Sequence, residues 1–206
     1  MGRIRIAGII VSAIVAMAIG FWLASFDIVN PTPGFQGSLL DPPRQIAVPA
    51  LVKDDGSALT EADLSGHWSL MFFGYTHCPD VCPVALNALA AAKKSAAEKL
   101  PGRAFPRVIF VSVDPQRDTV AVLHDYVNYF DPEFTGVTGD EKMIQALALQ
   151  MSVVYMKVPS EGNGDYLVDH SSAILLLNPE GKLAAFLQPP HSALSLLDSL
   201  NKIIHE

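Results

Sequence analysis

The fold this sequence predicts is an α/β sandwich built on a mixed sheet, and three observations predict it. Short apolar or β-branched runs alternate with alanine- and leucine-rich helical stretches. The turn Asn178-Pro179-Glu180-Gly181 joins Ala173 to Leu177 with Leu183 to Leu187, adding an antiparallel hairpin to a sheet whose first half is parallel. The third observation is a loop. The buried-strand run Trp68 to Phe73 passes directly into Gly74-Tyr75-Thr76-His77-Cys78-Pro79-Asp80-Val81-Cys82-Pro83, which holds the chain's two cysteines. It therefore lies at the C-terminal edge of a central strand, where sites in such sheets form.

Taken in order, Ile6 to Phe26 carries no charged side chain and is long enough to cross a bilayer, which takes about 20 apolar residues. It predicts a single N-terminal transmembrane helix. Arg3 and Arg5 precede it and the next basic residue is Arg44, so the N-terminus is expected in the cytoplasm. The globular part then faces the periplasm of a bacterial-type inner membrane, an oxidising compartment. The rival is a cleaved signal peptide with Ala16-Met17-Ala18 as its small-residue site; Ile19 to Leu23, with Trp22 as an interfacial anchor, favours the uncleaved helix. Residues 27–44, with Asn30-Pro31-Thr32-Pro33-Gly34, are expected as a Pro-rich linker, leaving 45–206 as one domain. The formal charge of −7 includes Arg3 and Arg5, so that domain is more acidic still. Nucleic acid, which needs a basic surface, is excluded as a partner.

Within the domain, Pro83 suits a helical first turn and Val84 to Lys99 a helix with its lysines late. Arg107 to Val113 is a β-branched central strand, and Thr119 to Tyr129 a helix capped by Asp118 or Thr119. Thr138-Gly139-Asp140-Glu141 matches a capping box that opens a helix to about Gln150. Val153 to Lys157 is a further strand, His170 begins the strand that runs into Leu177, and Ser192 to Ile204 is a closing amphipathic helix.

The chemistry rests on Cys78 and Cys82. Positions i and i+4 on a helical turn have Cβ atoms roughly 5–6 Å apart, so both sulfurs can close on one small target. A thiol pair at a strand-to-helix turn suits disulfide exchange, because a helix N-terminus stabilises thiolate. Three intervening residues, instead of two, also leave room for a metal. Two thiolates and an imidazole form a soft, low-coordinate set suited to copper, whereas structural zinc normally has four ligands. A structural disulfide is the bland alternative, although so short a loop restricts little chain entropy. Among the histidines, His170 lies at the sheet edge expected for the cysteine loop, as ligand or as a hydrogen-bonded structural residue. His77 should point away from its neighbour Cys78, His67 lies at the far end of its strand, and His124, His191 and His205 fall on helices or termini.

The stretch Phe72 to Pro83 resembles the signature of the Sco/SenC family, membrane-anchored copper proteins of cytochrome c oxidase assembly. Val111-Ser112-Val113-Asp114-Pro115-Gln116-Arg117-Asp118-Thr119, Gly136-Val137-Thr138-Gly139 and Tyr166-Leu167-Val168-Asp169-His170-Ser171 agree in order, so the resemblance spans about Gln45 to Leu187. It implies a thioredoxin-like fold in which Cys78, Cys82 and His170 bind one copper ion, Cu(I) or Cu(II). It also implies a metallochaperone for the dinuclear copper centre of cytochrome c oxidase subunit II, working with a periplasmic thiol reductant or copper donor. The alternatives are a thiol-disulfide oxidoreductase, with Cys78 and Cys82 as its redox pair reducing that subunit's cysteines, and a redox or copper sensor. Thiol oxidoreductases of this fold usually carry a proline facing the cysteines; none occurs between Pro159 and Pro179, and His170 occupies that neighbourhood, which favours metal binding. The family's Gly-Gly-x-Phe segment is replaced by Ile46 to Leu51, and a commoner glycine by Phe186-Leu187-Gln188-Pro189-Pro190, both away from the expected ligands.

Accessory residues have plain alternatives. Asp80 is a thiolate-tuning group or a turn residue, and Asp169 a support for the His170 ring or a structural residue. Asp114, Arg117 and Asp118 form a charged loop near the same edge, with helix capping and an ion pair as the simpler reading. Tyr75, Trp68 and the methionines are expected to pack.

Overall fold

The computed structural model describes residues 14–21, 35, 37–99, 102–159 and 166–205. The chain divides into two compact units, Met1–Gly34 and Phe35–Glu206. In the first, residues 14–21 are helical, and the rest of the apolar segment 6–26 lies outside the described residues. Among the described residues no helix is long and apolar enough to cross a membrane.

The second unit is an α/β sandwich. Its strands are β1 (Gly37–Arg44), β2 (Leu51–Lys53), β3 (Ser69–Gly74), β4 (Arg107–Ser112), β5 (Thr135–Gly139), β6 (Tyr155–Pro159), β7 (Tyr166–His170), β8 (Ile174–Leu177) and β9 (Leu183–Leu187). Its helices are α1 (Val81–Lys99), α2 (Val120–Phe130), α3 (Glu141–Gln150) and α4 (Ala193–His205). Seven strands form one sheet in the order β1-β9-β8-β3-β4-β5-β2. β3, β4 and β5 are parallel, while β8, β9, β1 and β2 pair antiparallel, as the sequence predicts for a mixed sheet.

The period-2 alternation of β3 divides the core. Leu70 and Phe72 face α1, α2 and α4, packing with Leu86, Leu89, Leu123 and Leu196. Met71 and Phe73 face the other way, toward Ile144 and Leu147 of α3 and Val168 of β7. All four β3 side chains are fully buried, so the strand ahead of the cysteine loop is held on both faces.

Several expectations are corrected. Residues 37–44, expected as linker, form the edge strand β1 on β9, with the register broken between Leu39 and Arg44. Pro42 and Pro43 lack the amide hydrogens a ladder needs, which is tolerated at an edge. Helix α1 begins at Val81, three residues before Val84, so Cys82 sits in its first turn while Cys78 precedes the helix. Thr138 is no cap: it lies in β5, nearly buried, and Asp140 caps α3 by accepting from the Lys142 amide. His170 ends β7 instead of beginning a strand, and β6 starts at Tyr155, two residues after Val153. Finally, β6 and β7 pair only with each other, as a separate two-stranded sheet.

Candidate metal centre

The end of β3 places the cysteine loop. Gly74 is needed there for space, since a Cβ at this position would lie 2.6 Å from Cys82 Sγ and 2.8 Å from the Phe110 ring. The first turn of α1 then aims Cys82 inward, fully buried, while Cys78 remains partly exposed. From the other side, the end of β7 brings in His170. Its Nε2 lies 3.3 Å from Cys82 Sγ. One donor atom from each of Cys78, Cys82 and His170 falls within 4.8 Å of the others, the one such group of three among the described residues.

The imidazole is oriented as a ligand would be. The Ser171 carbonyl, 3.0 Å from Nδ1, accepts its hydrogen, which leaves Nε2 as the lone-pair nitrogen facing the sulfurs. Phe72 and Tyr75 meet the ring edge-on, at 6.0 and 5.9 Å between centroids. The two cysteines are free, not joined in a disulfide. Donation from the Cys82 thiol, with the Asp80 and Cys82 amides, holds the Cys78 thiol far below its ordinary value against the cost of burial. The same hydrogen bond, with deeper burial, pushes Cys82 up. The pair therefore holds a proton more readily at Cys82 than at Cys78. The two sulfurs and one imidazole nitrogen suit a soft monovalent ion of low coordination number; a structural zinc site needs a fourth ligand that this cluster does not supply.

The loop between β4 and α2 supports both halves of the site. Asp118, fully buried, accepts from the Thr76 amide at 3.0 Å, the Thr76 hydroxyl at 2.6 Å and the Ser112 hydroxyl at 2.6 Å, and so holds the cysteine loop. Asp114, also buried, pairs with Arg117 Nε and accepts from the Tyr166 hydroxyl at 2.6 Å. Sequence reasoning placed these residues near the site but gave them only capping and ion-pair roles. Their partners lie as far as 52 residues away, beyond any local pattern.

The other candidates fall outside the cluster. His77 is exposed, with Nδ1 at 2.9 Å from the Thr76 hydroxyl. His124 pairs with Asp54 at 3.2 Å, and His191 donates from Nε2 to the Ser172 carbonyl at 2.8 Å. Asp80 is exposed, and its carbonyl accepts from the Val84 amide, the first i+4 bond of α1. Asp169 is exposed on the strand face opposite Val168, away from a role behind the His170 ring.

Residues 46–205 match the family model described as SCO1/SenC. The chain belongs to the SCO1/SenC family. Among SCO1/SenC proteins of known sequence, it is 42% identical over 157 residues to the mitochondrial SCO1 homolog 1 of Arabidopsis thaliana, covering 76% of this chain and 46% of that one. It is 35% identical over 199 residues to the mitochondrial SCO2 homolog of Bos taurus, covering 94% and 74%. The chain thus spans less than half the length of the Arabidopsis relative. The crystal structure of Arabidopsis thaliana ScoI with copper bound superposes with a TM-score of 0.70 at 41% identity, over 77% of this chain and 98% of that one. These neighbours share the thioredoxin-like α/β fold with its mixed sheet.

Proposed function

We propose that this protein handles copper, taking one copper ion as cargo on Cys78, Cys82 and His170 and serving assembly of the dinuclear copper centre of cytochrome c oxidase subunit II. The observation that carries the reading is the convergence of two sulfurs and a correctly oriented imidazole nitrogen within 4.8 Å, in a chain of the SCO1/SenC family. Loading displaces the proton that Cys82 holds, and the chain's own contribution is a preset tautomer at His170 and a thiolate already formed at Cys78. A partner with competing soft ligands then removes the ion by exchange. The N-terminal apolar segment is proposed as a single-pass anchor that keeps the domain on the periplasmic side, where a thiol reductant or copper donor restores it.

One observation favours a second activity. A depressed Cys78 thiol beside a protonated Cys82 is the arrangement for attack on a partner's disulfide, followed by resolution by Cys82. Two electrons pass to the partner and a Cys78–Cys82 disulfide remains, which a thiol reductant must reduce. His170 separates the two activities, because exchange needs no imidazole ligand. An anaerobic Cu(I) titration of reduced full-length protein against a competing chelator, for wild type and His170→Ala, should give one tight equivalent for wild type and much weaker binding for the variant. Equal, weak binding by both would refute the copper site and leave disulfide exchange.

A further inference from the structure

We infer that Arg117 is a positioning residue for His170, acting through Tyr166 and Tyr75; this rests on the copper reading above. β7 carries His170 at one end and Tyr166 at the other, about 13 Å apart along an extended strand. Among the described residues its only ladder partner is β6, and no ladder there ties β7 to the seven-stranded sheet. Side chains hold it in place. Val168 is buried in the core between the two ends, His170 meets Phe72, Tyr75 and Cys82, and the Tyr166 end is held at Arg117.

The Arg117 guanidinium stacks 3.8 Å from the Tyr166 ring centroid and lies 5.6 Å from that of Tyr75. Its Nη1 donates to the Tyr166 carbonyl at 3.1 Å and its Nε to Asp114. The Tyr166 hydroxyl closes the ring of contacts on the other Asp114 oxygen. Tyr75 belongs to the cysteine loop, is nearly buried, and meets the His170 ring at 5.9 Å and 90°. Arg117 therefore sits between a ring that travels with the histidine and a ring that travels with the cysteines. Asp118, one residue on, holds Thr76 beside Cys78. Both ligand carriers are thus referenced to one short loop.

A planar guanidinium suits this place because it stacks and forks at once, which an ammonium cannot do. Replacing a buried pair of this kind by apolar groups is close to neutral, whereas removing Arg117 alone leaves the fully buried Asp114 without its cation. A loss of His170 positioning must therefore be separated from a loss of stability.

A double-mutant cycle tests this. Cu(I) affinity is measured by chelator competition on reduced full-length protein for wild type, Arg117→Gln, His170→Ala and the double variant, with Tyr166→Phe as the milder substitute should Arg117→Gln not fold. Metal-free hydrogen exchange at the Val168 amide is followed alongside. Arg117→Gln should weaken Cu(I) binding about tenfold, as for groups that orient a ligand, add nothing in the His170→Ala background, and speed Val168 exchange while the β3 amides stay protected. An unchanged affinity, or an equal loss in both backgrounds, would overturn the assignment. A wild type binding no more tightly than His170→Ala would overturn the copper reading and this assignment together.

Discussion

Gly74→Ala tests the claim that the end of β3 is shaped around a sulfur. The added Cβ would stand 2.6 Å from Cys82 Sγ and 2.8 and 3.1 Å from two carbons of Phe110, against ordinary contact distances of about 3.5–4.0 Å. About 1 Å of movement is therefore required of a sulfur and a ring that are both fully buried. Neither can move into solvent. Phe110 is backed by Phe72 and Tyr126, at 6.2 and 5.5 Å between ring centroids, and Cys82 is tied to the first turn of α1. Overpacking of this kind costs about 1–3 kcal/mol. At about 2–4 °C per kcal/mol for a domain of this size, the reduced metal-free protein should melt about 2–12 °C lower. The displaced Cys82 Sγ should also cut Cu(I) affinity by at least about tenfold, since a ligand atom moved by about 1 Å leaves its bonding distance. Thermal denaturation followed by circular dichroism and chelator competition read the two effects. Unchanged melting together with unchanged copper affinity would refute the reasoning, because the space Gly74 leaves would then not be what seats the sulfur.

Asp118→Ala removes the acceptor of the Thr76 amide, the Thr76 hydroxyl and the Ser112 hydroxyl, and should destabilise the protein by about 2–4 kcal/mol in urea denaturation, the cost of stranding buried donors; a loss under about 0.5 kcal/mol would show the cysteine loop is held otherwise. Cys78, whose thiol is held down chiefly by the Cys82 donor, keeps its thiolate as pH falls below the ordinary thiol value of 9.0. Its alkylation by iodoacetamide should therefore stay nearly flat between about pH 8 and 5, and become steeply pH-dependent in Cys82→Ala; a steep profile in wild type would contradict the assignment. Asp63, bound by Lys53 at 2.8 Å and by Thr60, is lowered from 3.8 to about 2. A depressed carboxylate stabilises the fold above its unfolded value and loses that contribution as pH falls through its folded one. Asp63→Asn should thus cost about 1 kcal/mol at pH 7, after allowance for solvent screening, a loss that shrinks as pH falls below 3.8 and disappears only once pH is below about 2, as read by urea midpoints across pH.

The legible parts of the molecule were those with local chemistry. A fully apolar run before a Pro-rich cysteine turn marks β3 and its loop, and Asn178 to Gly181 marks the β8–β9 turn, where Asn178 accepts from the Glu180 and Lys182 amides. β1 was hidden because Pro42 and Pro43 lie in residues read as a Pro-rich linker, and β5 because Thr138 and Gly139 were absorbed into a capping-box reading. At Gly139 a Cβ would come within 2.8 Å of Leu51, so close strand packing, and not a turn, requires the glycine. Thr138 matched a capping pattern that Asp140 satisfies better from its place at the helix start. His170 was identifiable as a candidate from its place at the sheet edge. Its position at the end of a hairpin that leaves the main sheet was not, since an apolar run does not state its partner strand. The supporting work of Asp114, Arg117 and Asp118 depends on contacts to Tyr166 and Thr76 at separations of 42 to 52 residues, and only folding reveals those.

The separateness of the β6–β7 hairpin from the seven-stranded sheet has a kinetic meaning. Withdrawing His170 breaks no ladder of that sheet, so local opening there is governed by a handful of side-chain contacts and can run far more often than unfolding. The sulfurs, one on the loop that Asp118 holds and one on the first turn of α1, stay where they are during such an event. A bound ion would pass from three ligands to two without leaving the protein, opening a vacant coordination position just when an acceptor's ligand arrives. Under the proposed copper role, opening of this hairpin would set how often His170 leaves the ion, while an acceptor's ligands would still have to displace both sulfurs.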